Sequence, residues 1–91
     1  MDTLFTEIKD KIDKGQPDDA ILIANQLIKE GNEDAYLYYL KGRAYMKKSD
    51  WKKAIDALLN SNHISPGGPA SETLKMLNDI LDFYNKDMYN P

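Results

Sequence analysis

Residues 35–66 read AYLYYLKGRAYMKKSDWKKAIDALLNSNHISP, and this stretch decides the fold. Tyr38, Gly42 and Tyr45 recur at spacings of four and three, which puts them on one side of a helix. Acidic Glu33 and Asp34 open that segment and basic Lys47 and Lys48 close it, the polarity a helix dipole favours. Ser49 and Asp50 break the pattern and offer a cap for a second helix. In that helix Trp51, Ala54, Ile55, Leu58 and Leu59 share one face. Pro66-Gly67-Gly68-Pro69, the strongest breaker cluster in the chain, then stops it. The stretch reads as a helical hairpin.

The preceding residues have the same layout. The pair Ala20-Ile21 lies 34 residues before Ala54-Ile55, and the same offset sets Gly15 on Ser49, Lys9 on Arg43 and Ile12 on Met46. Leu4, Phe5, Ile8 and Ile12 follow helical spacing until Gly15. Pro17 suits a first helical position, with Asp18 and Asp19 in the first turn and Ala20, Ile21, Ala24, Leu27 and Ile28 along one face. Gly31 ends that helix, and Asn32 is a candidate cap for the next. After the proline-glycine break, residues 70–88 form an amphipathic pattern. Leu74, Met76, Leu77, Ile80, Leu81, Phe83, Tyr84 and Met88 fall on one half, and Glu72, Lys75, Asn78, Asp79, Asp82, Asn85 and Lys86 on the other. No sustained alternation of period two occurs, so no sheet is expected. The expected fold is all-α with five helices.

Tyr38, Gly42, Tyr45, Ala54, Leu58 and Pro66 resemble the tetratricopeptide signature, W-x2-L-G-x2-Y, then A-x3-F, then P. Lys41 stands where leucine is usual and Leu58 where phenylalanine is, with Leu40 placed to supply the missing aliphatic contact. The first half keeps Leu4, Ala20 and the length. It has Ile8 in the glycine slot, Lys11 in the tyrosine slot and Asn32 in the proline slot. Terminal repeats are commonly atypical in this way. The resemblance covers residues 1–68 and is densest over 35–66. It implies an α-α superhelix with a degenerate repeat at 1–34, a second repeat at 35–68, and a solvating helix at 69–91. Within the second repeat Gly42 and Ala54 would let the two helices approach, with Tyr38, Tyr45 and Leu58 filling the space around them.

The resemblance also implies a concave groove lined by the first helix of each hairpin. Projected onto this chain, that groove takes Asp2, Phe5, Lys9, Ile12 and Asp13 from the first repeat. The second contributes Tyr36, Tyr39, Arg43, Met46 and Lys47. Aromatic rings and a methionine beside Lys9 and Arg43 suit a peptide with apolar side chains and an acidic group. An alternative stays open: Tyr39 and Met46 pack against the last helix, because two repeats have little other core. Some members of the family clamp an acidic chaperone tail with lysines and asparagines. The matching places here hold Phe5, Leu40 and Leu74, with Lys9 and Arg43 nearby, so that clamp is not expected.

Composition narrows the function classes. The 91 residues carry 12 basic and 15 acidic side chains, for a net charge of −3, and no cysteine. Disulfides and thiolate zinc sites are thereby excluded. Six of the 12 basic residues, Lys41, Arg43, Lys47, Lys48, Lys52 and Lys53, fall within positions 41–53. The acidic balance and the absence of a stacking platform argue against nucleic acid as their partner. His63 is the single histidine and has no triad partners in the sequence. No phosphate-loop, dinucleotide or metal-ligand motif occurs, so a non-catalytic protein without cofactor or metal is expected. The longest apolar run, residues 20–24, is too short for a membrane span, and no signal peptide is visible, which points to the cytoplasm. The partner expected is a protein or peptide, with the chain itself monomeric. The alternative is a homodimer formed through apolar positions such as Leu22, Tyr84 and Tyr89.

Overall fold

A computed structural model describes the backbone of residues 2–84 and the side chains of residues 3–79. The described residues form five α-helices and no strand: α1 Asp2–Asp13, α2 Pro17–Lys29, α3 Ala35–Lys47, α4 Trp51–Ile64 and α5 Pro69–Tyr84. The sequence-predicted extension of the last helix to Met88 lies outside the described residues. Helices α1 and α2 form one hairpin and α3 and α4 the next. Helix α3 packs on both α1 and α2, and α5 packs on α4. The 34-residue offset recurs in two helix starts: α4 begins 34 residues after α2, and α5 begins 34 after α3.

The offset reaches down to individual hydrogen bonds. Gly15 and Ser49 occupy the left-handed region, at φ 76° and 60°. The N–H of Gly15 donates to the Ile12 carbonyl at 3.1 Å, and that of Gln16 to Lys11 at 2.8 Å. One repeat later, Ser49 donates to Met46 and Asp50 to Tyr45, both at 3.0 Å. This paired pattern satisfies carbonyls that a helix end leaves without partners. Gly31, at φ 96°, ends α2 the same way, with its own N–H on Ile28 and that of Asn32 on Leu27. Asn32 therefore belongs to the stop of α2. The cap of α3 is Asp34, whose carboxylate accepts from the Tyr36 N–H at 2.8 Å. Asp50 caps α4 by accepting from the Lys53 N–H at 3.3 Å.

The main core joins Ile8, Ile12, Ala20, Ile21, Ala24, Leu27, Leu37, Leu40 and Ala44. Leu40 is fully buried there. Ile12 is fully buried too, which corrects its expected place in a groove. Helix α1 packs on α2 and α3 together, so its dry arc is wide enough to take in Ile12. A second cluster joins Leu58, Ala70 and Leu77, with Tyr39, Met46, Ile55 and Leu74 packed against it. Each fully buried Ile or Leu contributes about 1.5–3 kcal/mol.

Gly42 sets how closely α3 and α4 approach. A Cβ at that position would lie 2.7 Å from Leu58 Cγ and 3.3 Å from the Ala54 carbonyl oxygen. Ala54 and Leu58 are fully buried, and Tyr38 and Tyr45 are half-buried, Tyr45 against the main core. Pro66 stays exposed in the turn before α5. Buried Ser61 donates its hydroxyl to the Ala35 carbonyl at 2.6 Å, tying the end of α4 to the start of α3.

Helix α5 buries Ala70 and Leu77 against α4 and turns an unlike side outward. At the repeat offset, Tyr38, Gly42 and Tyr45 become Glu72, Met76 and Asp79, and all three are exposed. Met76, expected on the dry half, is 47% exposed. A face bearing two carboxylates does not need another helix to cover it. On α4, Trp51 and Leu59 are 39% and 52% exposed, so the apolar face read from the sequence is wider than the face that packs. Among the described residues no helix is long and apolar enough to cross a membrane.

Candidate functional site

Packing α3 against α1 brings four of the groove-predicted side chains into one row. Phe5 of α1 meets Tyr36 edge-on, with ring centroids 5.7 Å apart and planes at 60°. Tyr36 lies 5.9 Å from Tyr39 at 33°. The Arg43 guanidinium carbon sits 6.0 Å from the Tyr39 ring centroid. On α3 the residues 36, 39 and 43 are spaced three and four apart, so a single stripe of that helix supplies the row. The Asp34 cap fixes the stripe's first turn through the Tyr36 backbone.

The row ends on a cation with weak attachments. Arg43 Nη2 lies 3.9 Å from Asp13 Oδ1, a long pair between partly exposed groups. Pairs of this kind contribute about 0–1 kcal/mol, and an exposed cation–π contact contributes about 0.5–1 kcal/mol. A guanidinium offers five N–H donors in a fork that matches a carboxylate. At the other end Phe5, Thr6, Lys9 and Tyr36 line a shallow depression of about 230 Å³. Lys9 is exposed there, one turn of α1 beyond Phe5.

The remaining groove predictions divide. Met46 packs on the Leu58–Ala70–Leu77 cluster, which α4 and α5 share. Tyr39 packs on both core clusters while its ring lies under Arg43, so it is a core residue as well as part of the row. Lys47 is exposed at the end of α3. The Asp2 side chain lies outside the described residues, as do those of Tyr84 and Tyr89 among the self-association candidates. Leu22 is 69% exposed on α2.

Two features escaped the sequence reading. A cavity of about 250 Å³ opens beside Tyr36 where Asp34, Ser61, Ser65, Gly68 and Pro69 meet, and it is made by the α4–α5 turn. A second, of about 210 Å³, lies between α3 and α4, lined by Lys41, Tyr45, Lys53, Asp56, Ala57 and Asn60. The signal for the latter was Lys41 itself, a charge in a slot that packing reserves for leucine. His63 is exposed at the end of α4, and no group of three or more His, Cys, Asp or Glu among the described residues is placed to hold a metal ion.

Compared with known proteins, the chain matches no family model, no curated protein and no solved structure.

Proposed function

We propose that the chain is a small tetratricopeptide-type module, without catalytic activity or cofactor, that binds a segment of another protein along Phe5, Lys9, Tyr36, Tyr39 and Arg43. The observation that carries this reading is the unbroken aromatic row joining the two hairpins and ending on Arg43. Rigid rings presented at low entropic cost make good contacts for apolar side chains. The arginine fork adds recognition of an acidic group, for which the Asp13 carboxylate already serves as a loosely held stand-in. The matching register of the helix starts and of the two turns supports the family reading. A cysteine-free composition is compatible with the cytoplasm as its setting.

The test is affinity capture with wild type and with Tyr36→Ala/Arg43→Glu, both first shown to melt cooperatively. Tyr36 is preferred to Tyr39 because Tyr39 also packs on the core. Partners of the groove are expected to vanish with the double change. If every captured protein persists, the groove reading fails.

A second reading is self-association, with Leu22, 69% exposed on α2, as one of its contacts. Light scattering across a hundredfold dilution decides it: a concentration-independent monomer removes the dimer.

A further inference from the structure

The opposite side of α3 carries an arrangement that the groove does not use. At about 100° per residue, Lys41 and Tyr45 fall roughly 160° around the helix from the Tyr36–Tyr39–Arg43 stripe. There Lys41 of α3 and Lys53 of α4 approach one cavity from two helices. Lys53 Nζ sits 5.8 Å from the Tyr45 ring centroid, and the Asn60 amide completes the wall. Asp56 is the one carboxylate lining the cavity, and neither lysine has an ion pair among the described residues.

Lys41 is the informative member. It is only half-exposed, and burial alone lowers its pKa from the ordinary 10.5, so its charge costs the fold something. Its neighbours Tyr45 and Ala57 would accept an aliphatic side chain equally well. Two lysines and an asparagine thus line one cavity with a single carboxylate, Asp56, and neither lysine is ion-paired with it.

We propose that Lys41, Lys53, Tyr45 and Asn60 form a second binding site, which takes a single oxyanion displayed by a protein partner, either a carboxylate or a phosphoryl group. The volume of about 210 Å³ admits such a group with its first carbons. Two ammonium groups and one amide match the lone pairs of a compact oxyanion. Asp56 in the wall and the net charge of −3 disfavour a polyanion such as nucleic acid. The site lies away from the aromatic row, so a protein could engage both sides of α3, and loss of either site leaves the other intact.

The test uses the full chain and follows backbone amide shifts during titration. The probes are a blocked Gly-Glu-Gly peptide, its phosphoserine counterpart, a serine control and a short oligothymidylate, at millimolar concentration. Saturable shifts are expected at Lys41, Tyr45, Lys53 and Asn60, not at Phe5 or Tyr36, with at least one acidic peptide. Response to glutamate alone identifies a carboxylate source, and response to phosphoserine alone a phosphoryl source. Either supports the site. Lys41→Leu is expected to melt above wild type and to lose about tenfold in affinity, whereas Lys53→Gln loses affinity with little change in melting. Three results overturn the proposal: no shift at those amides, equal shifts in Lys41→Leu, or tighter binding of the oligothymidylate. A Lys41→Leu protein that melts below wild type overturns it as well, because the charge would then not be a cost. The Tyr36→Ala/Arg43→Glu protein is expected to keep the full response, which separates failure here from failure of the groove.

Discussion

The two hairpins turn alike and fill their interiors from opposite sides. Gly15 and Ser49 support the same pair of hydrogen bonds at equivalent places. Between the helices, however, the first hairpin has Ile8 on α1 and Ala24 on α2, whereas the second has Gly42 on α3 and Leu58 on α4 at the same offsets. Ile8, Ala24 and Leu58 are all fully buried, and Gly42 leaves no room for a Cβ. What recurs is a gap of one large side chain. In the second hairpin Leu58 of the second helix fills the space at Gly42, whereas at the same two positions of the first hairpin the large side chain is on the first helix and the small one on the second, both in the main core. Large Ile8 thus pairs in register with small Ala24, the reverse of Gly42 and Leu58.

The largest effects are expected where that filling is disturbed. Leu58→Ala should destabilise by about 2–5 kcal/mol, since it leaves a cavity that a glycine opposite cannot fill. Gly42→Leu should cost about 3 kcal/mol by overpacking against Leu58 and the Ala54 carbonyl. Urea midpoints measure both, and a near-wild-type midpoint for either would break the packing comparison. Next come the ties particular to the second hairpin. Ser61→Ala removes the bond to the Ala35 carbonyl and Asp50→Ala removes a cap, each at about 1 kcal/mol.

The turns sharpen the comparison through opposite signs. Gly15→Ala should destabilise by about 1 kcal/mol, because a Cβ is strained at left-handed φ, although nothing crowds it there. Ser49→Gly relieves that same strain and should stabilise by a similar amount, about 1 kcal/mol. Two changes of the same sign would mean that the turns are not equivalent.

The smallest effect is in alkaline titration. Lys41 has its pKa lowered by burial, so between that value and 10.5 the unfolded chain binds more protons and stability rises with pH. Lys48 behaves oppositely. Its hydrogen bond to Asp18 raises its pKa, so the stabilisation is present below 10.5 and is lost as pH rises through the folded value. Lys41→Leu should remove the rise and leave the later fall, as urea midpoints measured against pH would reveal.

Much of this was legible in the sequence for identifiable reasons. Breakers and caps act locally, so Gly15, Pro17, Gly31 and Asp50 marked helix ends that the structure keeps. The aromatic row was legible because Tyr36, Tyr39 and Arg43 share a stripe whatever lies beyond it. Ile12 was misplaced because its surroundings depend on how helices distant in the chain pack. A single-helix projection cannot show that α1 touches two helices, or which cluster Met46 joins. The lysine pocket was hidden likewise, since it needs α3 and α4 together.

The most direct test of the shared frame is a double-mutant cycle on Gly42→Ile and Leu58→Ala. The double variant gives the second hairpin the Ile–Ala pair of the first, and urea denaturation supplies all four stabilities. The shared frame predicts that each single change is strongly destabilising and that the double change is milder than their sum by about 1–3 kcal/mol. Strict additivity would contradict it, since the two hairpins would then share a length and a turn but not a common interior.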